Sequence, residues 1–141
     1  MSSTTIRTIT GLVLMIHGIG YAMAFVPALN IFSTDKWHYR SWLLNNILSD
    51  GASRALLIVL FAIPLIGFIA AGLGVFNWVV PHAWWPRLAI VSAVVGLVAL
   101  AIFWNAFASL FPNKIGAIVV NVALLVGLLG NNAFSQVLVE I

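Results

Sequence analysis

The amino-acid sequence predicts an all-α fold: an integral membrane protein built as a four-helix antiparallel bundle, with a short interfacial helix between the first two helices. Three observations predict it. Of the 141 residues, 63% are hydrophobic and only 6% are charged, whereas a soluble domain carries about 25% charged residues. Four apolar stretches are each long enough to cross a bilayer core of about 30 Å as a helix. Two of the three links are short, so the helices that they join are antiparallel neighbours.

The four apolar stretches run from about residue 9 to 29, 55 to 80, 88 to 111 and 115 to 138. They lack the alternating polar positions that a β-barrel lumen requires, so helices are favoured. We expect residues 1–141 to form one four-span domain. The first stretch also resembles a signal peptide, with Arg7 before it and Ala22-Met23-Ala24 within it. It is long enough to span the membrane, so we expect it to be a span.

The first link, from about Asn30 to Arg54, is long and holds most of the charge. Helical spacing groups Trp37, Leu44 and Leu48 on one side of this link. The polar side chains on another side are His38, Asn45 and Asn46. This pattern predicts a short helix lying in the membrane interface. The alternative is an irregular loop with aromatic anchors.

Tryptophans cluster at the predicted span ends, where an indole ring settles at the level of the lipid headgroups. The predicted interface anchors are Trp37, Trp42, Trp78, Trp84 and Trp85. The long link and the third link together carry four Lys/Arg, and the opposite side carries two. This count favours a cytoplasmic long link, although the N-terminal amine reduces the margin.

Polar side chains at membrane depth are costly, so they indicate function best in such a sequence. Counting 1.5 Å per residue places His17, Pro64 and Asn121 near the midplane, where we expect one central layer. Asn105 lies nearer the surface that holds Lys114. The proline deprives the carbonyl four residues before it of its helical donor, and His17 or Asn121 could supply one. Two interpretations stay open: a hydrogen bond that only locks the bundle, or a site for a quinone, haem or other lipophile.

Several classes of function are disfavoured. A net charge of +3 without a basic cluster does not suit nucleic-acid binding, and the lack of cysteine removes thiolate metal sites and thiol catalysis. His38 and His82 lie in links on opposite sides, so neither reaches a haem centred on His17. The carboxylates lie outside the deep core, which weakens proton- or ion-coupled transport. The sequence predicts no catalytic residue, no metal site and no bound cofactor.

The first span carries a recognisable run. Arg7 precedes Gly11-Leu12-Val13-Leu14-Met15-Ile16-His17-Gly18, and this outline resembles the first helix of DoxX-like four-helix membrane proteins. The four-span layout and the long first link are similar too. The resemblance implies a four-helix bundle and, for some relatives, a link to quinone-dependent thiosulfate oxidation. The acidic positions of related sterol-handling proteins are absent, so the resemblance does not extend to isomerase chemistry.

Three functions follow as hypotheses, in this order. The first is a non-catalytic accessory subunit of a larger membrane complex that handles electrons or quinones, because the chain is small and lacks a catalytic set. The second is a small protein that binds a lipophile or quinone through His17 and Asn121, with Pro64 and Asn105 as further candidates. The third is a homo-oligomeric channel or transporter. The expected partners are the lipid bilayer and other membrane subunits, and the expected location is the prokaryotic cytoplasmic membrane.

Overall fold

The structure, a computed structural model, describes residues 2–130 and Gln136. Four helical segments in this part are long and apolar enough to cross a membrane, which confirms the all-α prediction and the multi-pass membrane class. We call them the first to fourth spans: Ser3–Ala28, Asp50–Val75, His82–Ile102 and Leu110–Gly130. Within the described residues, extended pairing is limited to an isolated bridge between Thr34 and Trp37.

Each span contains one long α-helix, and three spans add short 3-10 or π-type turns. The elements in chain order are α1 (Ser3–Gly20), a 3-10 turn (Tyr21–Ala24), α2 (Phe25–Ala28), α3 (Asp50–Val75), a 3-10 turn (His82–Trp84), α4 (Trp85–Ile102), a 3-10 turn (Trp104–Ala106), a π-type turn (Leu110–Lys114), α5 (Ile115–Leu125) and a π-type turn (Val126–Gly130). Consecutive spans run antiparallel. The face that carries residues 29–49 and 103–114 is called the link face here.

Several span limits differ from those predicted by hydropathy. The second span begins five residues early, because the Ser49 hydroxyl accepts from the Ala52 amide at 3.2 Å and caps the helix. It ends at Val75 rather than residue 80, and Asn77 follows with a φ of 57°. The third span ends at Ile102 rather than residue 111. Residues 131–135 and 137–138 of the predicted fourth span lie outside the described residues.

Glycines set the close contacts inside the bundle. A Cβ at Gly18 would lie 2.9 Å from the Phe68 Cβ, so the first span approaches the second closely there. A Cβ at Gly67 would collide with the Ser92 hydroxyl of the third span. These small residues therefore allow close packing between spans of the same chain.

The predicted interfacial helix between the first two helices is wrong. Residues 29–49 form turns instead, and this irregular link is fastened to the end of the third span. The indole of Trp42 donates to the Ala101 carbonyl at 2.6 Å, and the Ser41 hydroxyl donates to the Ile102 carbonyl at 2.7 Å. The last carbonyls of a helix have no helical donor. The link satisfies them from its side chains, and a helix parallel to the membrane would not bring these donors together.

The tryptophans divide into two groups. Trp42, Trp78 and Trp84 are more than half exposed at the span ends, as anchors should be. Trp37 is half-buried and donates to the Ala106 carbonyl at 2.8 Å. Trp85 is only 1% exposed, so its prediction as an interface anchor is wrong. Its side chain packs over Gly74 of the second span, where a Cβ would lie 2.9 Å from the Trp85 Cβ.

Candidate functional site

A hydrogen-bonded chain of three side chains joins the first and fourth spans at mid-depth. The Nε2 of His17 donates to the Asn121 Oδ1 at 2.9 Å, and the Asn121 Nδ2 donates to the Tyr21 hydroxyl at 2.6 Å. His17 and Tyr21 are four residues apart, so they share a face of the first span. We call these three residues the midplane triad. The structure thus brings together two of the predicted site residues and adds Tyr21, which the sequence analysis missed.

A glycine of the third span makes room for this chain. A Cβ at Gly96 would collide with the Tyr21 hydroxyl and would lie 3.1 Å from the Asn121 Nδ2. Any larger residue there would push the first and fourth spans apart at the triad. The hydrogen bonds between these spans therefore depend on a residue that makes none of them.

Pro64 does not join the triad. It is fully buried in the second span. The hydrogen bonds of His17 and Asn121 go to each other and to Tyr21, rather than to the carbonyl of Leu60 that the proline leaves free. Neither side chain is therefore the donor to this carbonyl that the sequence analysis considered, because each bonds a side-chain partner instead.

Phenylalanine rings wall the inner side of the triad. The His17 ring meets the Phe68 ring edge-on at 4.7 Å between centroids. The Tyr21 ring lies 5.7 Å from Phe107 and 6.0 Å from Phe61. These contacts keep water away from the inner side and fix the ring orientations. On its other side, the triad borders the groove between the first and fourth spans, which His17 and Tyr21 line.

That groove contains a cavity of about 250 Å³ beside His17 and Tyr21. It extends from Asn113 at the link face to the triad at mid-depth. An added Cβ at Gly20 would meet nothing within 4 Å, so this glycine leaves the wall open. The remaining lining residues are Ile16, Met23, Phe107, Pro112, Gly116, Ala117 and Val120.

A second cavity continues the groove on the other side of the triad. Its volume is about 330 Å³, and its lining is almost wholly apolar. Val120 lines both cavities, so the two meet along the first and fourth spans, and His17 lines the first of them. The other lining residues are Ile9, Thr10, Val13, Leu14, Val119, Ala123 and Leu124.

Asn105, the remaining predicted site residue, lies in a different cluster at the link face. Its Oδ1 accepts from the Lys114 Nζ at 3.3 Å, and its Nδ2 lies 3.3 Å from the His38 Nε2. Its backbone carbonyl accepts from the His38 amide at 2.9 Å. We call His38, Asn105 and Lys114 the link-face cluster. It fastens the first link to the residues between the third and fourth spans.

The electrostatics of the link-face cluster follow from burial and from its neighbours. Burial lowers the pKa of His38 below its ordinary value, the cations Arg40 and Lys114 lower it further, and Asp35 partly offsets them. Lys114 is only 6% exposed and lies over the Trp104 ring at 5.1 Å. Positive charge is therefore already present at this cluster, and it disfavours protonation of His38.

Metal ligands do not converge at either cluster. Among residues 2–130 and Gln136, no group of three or more His, Asp or Glu side chains could hold a metal ion. The triad offers one imidazole, one amide and one phenol. Such groups bind polar ligands by hydrogen bonds.

No family model, curated protein or solved structure matches this chain. The resemblance of the first span to DoxX-like proteins therefore stays a prediction.

Proposed function

We propose that this chain binds a lipophile with a polar head group, a quinone being the first candidate, in the groove between its first and fourth spans. The observation that carries the proposal is the midplane triad beside an open cavity. His17 lines this cavity, and its Nδ1 makes no hydrogen bond with the residues that the structure describes. In the bilayer core, a ligand can supply this missing partner where water cannot.

The size of the cavity suits a ring-shaped head group. A cavity of about 150 Å³ is enough for benzene in a protein interior, and the cavity beside His17 has about 250 Å³. A substituted quinone ring therefore fits beside the triad. The apolar continuation of the groove past Val120 offers a surface for a hydrocarbon tail.

The alternative interpretation gives the triad only a structural role. A hydrogen bond between membrane helices contributes about 0.6 kcal/mol on average, so the bond between His17 and Asn121 would stabilise the bundle slightly. This interpretation explains the bond but gives no role to the cavity at its side or to the unused Nδ1. It predicts no ligand, and binding measurements distinguish the two.

A direct test is titration of the full chain in lipid nanodiscs with decylubiquinone. We expect saturable binding in the wild type and at least a tenfold loss of affinity in His17→Leu, because the variant removes the ring that the head group contacts. His38→Gln is the matched control, since that histidine belongs to the link-face cluster, and it should bind like the wild type. Equal partitioning of the quinone into all three samples would refute the proposal.

The hypotheses of an accessory subunit and of a channel stay predictions, as does the prokaryotic cytoplasmic location. A subunit that holds a lipophile for a larger electron-transfer complex would combine the first hypothesis with this proposal. Purification in mild detergent tests the subunit hypothesis, because an accessory subunit should bring its partners with it. Liposome flux measurements test the channel.

A further inference from the structure

The amide of Asn121 bonds the ring of His17, which lines the groove, so the direction of the amide sets the tautomer of the neutral ring. In the observed arrangement, the Asn121 Oδ1 accepts from the His17 Nε2, so the hydrogen of the neutral ring is on Nε2. The Nδ1 then carries a lone pair and is an acceptor. At the other end, the Asn121 Nδ2 donates to Tyr21, whose own hydroxyl hydrogen has no acceptor among the described residues.

A half-turn of the amide reverses this chain without repacking. The oxygen and the NH₂ group of an amide are nearly the same size. The 2.9 Å distance to His17 suits a hydrogen bond in either direction, and the 2.6 Å distance to Tyr21 lies within the range of an O–H···O bond from the hydroxyl to the amide oxygen. In the reversed arrangement, the Tyr21 hydroxyl donates to the amide oxygen and the amide nitrogen donates to the Nε2 of His17. In this arrangement the neutral ring is the tautomer that carries its hydrogen on Nδ1, and Nδ1 is a donor.

We propose that Asn121 sets the tautomer of His17 and thereby lets this ring bind either a hydroxyl or a carbonyl head group. The observed arrangement suits a hydroxyl, and the reversed one suits a carbonyl. The site would thus bind both the reduced and the oxidised form of a quinone. This inference rests on the proposed function, and it concerns binding alone: no electron transfer is part of it.

The two forms should not bind equally. The reversed arrangement uses the hydroxyl hydrogen of Tyr21, whereas the observed one leaves it unpaired in a residue that is 1% exposed. A buried donor without a partner is costly. The carbonyl form should therefore bind more tightly than the hydroxyl form, by about fivefold.

The test reads the ring hydrogen of His17 directly. The full chain, labelled with ¹⁵N-histidine in nanodiscs, is measured by NMR with decylubiquinone and with decylubiquinol, and the His17 signals are identified by their loss in His17→Leu. We expect hydrogen on Nδ1 with the oxidised ligand and on Nε2 with the reduced ligand. The same tautomer with both ligands, or a doubly protonated ring with both, would overturn the inference and leave the proposed function standing.

Asn121→Leu adds a second measurement. This variant removes the amide, so we expect about a tenfold loss of affinity for both forms and a tautomer that no longer follows the ligand. Asn46→Leu, in the exposed part of the first link, is the control and should match the wild type. The tautomer comparison uses the wild-type chain, so it decides the question even where Asn121→Leu does not fold. Binding of neither form would refute the proposed function itself and this inference with it.

Discussion

The midplane triad and the link-face cluster are built from the same kinds of residue, and their surroundings give them different roles. Each pairs a histidine with an asparagine across two parts of the chain. At the link face, both ring nitrogens of His38 have polar contacts, with the Arg40 amide and with Asn105. At the midplane, His17 uses only Nε2 and lines a cavity of about 250 Å³.

Both clusters contain a histidine and an asparagine, and they differ in that one ring nitrogen of His17 has no hydrogen bond among the described residues. In the link-face cluster, the donors and acceptors contact one another and hold the first link to the ends of the third and fourth spans. In the midplane triad, the Nδ1 of His17 makes no hydrogen bond with the described residues, and our proposal assigns it to a ligand. We therefore expect changes at the link-face cluster to alter stability, and changes at the triad to alter binding.

The largest effect should come from Gly96→Ala. The added methyl would collide with the Tyr21 hydroxyl and press on the Asn121 amide, so this overpacking should lower the free energy of unfolding by about 1–3 kcal/mol. It should also displace the triad and weaken lipophile binding. Titration with SDS in mixed micelles measures the stability. Gly116→Ala is the control because an added Cβ there meets nothing within 4 Å, and equal stability of the two variants would contradict this packing account.

Replacing the two asparagines tests the division of roles. Asn105→Leu removes the hydrogen-bond partner of the buried Lys114 ammonium, so it should lower the free energy of unfolding by about 1–2 kcal/mol while lipophile binding persists. Asn121→Leu removes two hydrogen bonds between spans, each worth about 0.6 kcal/mol, so it should cost about 1.2 kcal/mol of stability and also weaken binding. Parallel unfolding and binding titrations compare them. The comparison fails if Asn105→Leu weakens binding as much as Asn121→Leu does.

Acid should loosen the link-face cluster. The pKa of His38 in the folded chain lies below its ordinary value because of burial and of the cations Arg40 and Lys114, with Asp35 opposing them. The unfolded chain then binds more protons, so stability should fall as the pH drops through the ordinary histidine range and level off below the folded pKa. Unfolding titrations from pH 7.5 to about 5 measure this. His38→Gln should flatten the fall, and an unchanged slope in that variant would assign it to other groups.

The smallest effect should come from Trp42→Phe. The variant keeps an aromatic ring but loses the bond to the Ala101 carbonyl, and because the side chain is 70% exposed the loss should be about 0.5 kcal/mol. Trp84→Phe, at the opposite face, is the comparison and should cost less. Thermal unfolding of the three proteins checks this order, and a larger loss in Trp84→Phe would contradict the fastening role of the link.

Hydropathy predicted the four spans but not their ends. The early start of the second span depends on the Ser49 cap, a local signal that the charges of Asp50 and Arg54 hide from a hydropathy count. The turns of the first link depend on its bonds to Ala101 and Ile102, which are about sixty residues away. Helical spacing within the link carries no information about such distant partners, so the interfacial helix was predicted wrongly.

The sequence predicted two of the three residues of the midplane triad. Depth along the spans identified His17 and Asn121, because polar side chains at the midplane are rare and tend to find each other. Tyr21 carries a hydroxyl one helical turn after His17, which is a signal for a shared site. It was missed because tyrosine is counted among the hydrophobic residues. The cavity was not predictable, since it arises from the separation of the first and fourth spans. The same depth estimate placed Asn105 near Lys114, as the structure has it.

The central claim is that a lipophile occupies the groove beside His17, and photo-crosslinking in membranes tests it most directly. A decylubiquinone analogue with a diazirine in its tail would be activated in vesicles that contain the full chain, and the modified residues located by mass spectrometry. We predict labels concentrated on the groove, at residues such as Ile16 and Val120, with their loss in His17→Leu. Labels spread evenly over lipid-facing residues such as Val59 and Val98, and unchanged by that substitution, would contradict the account.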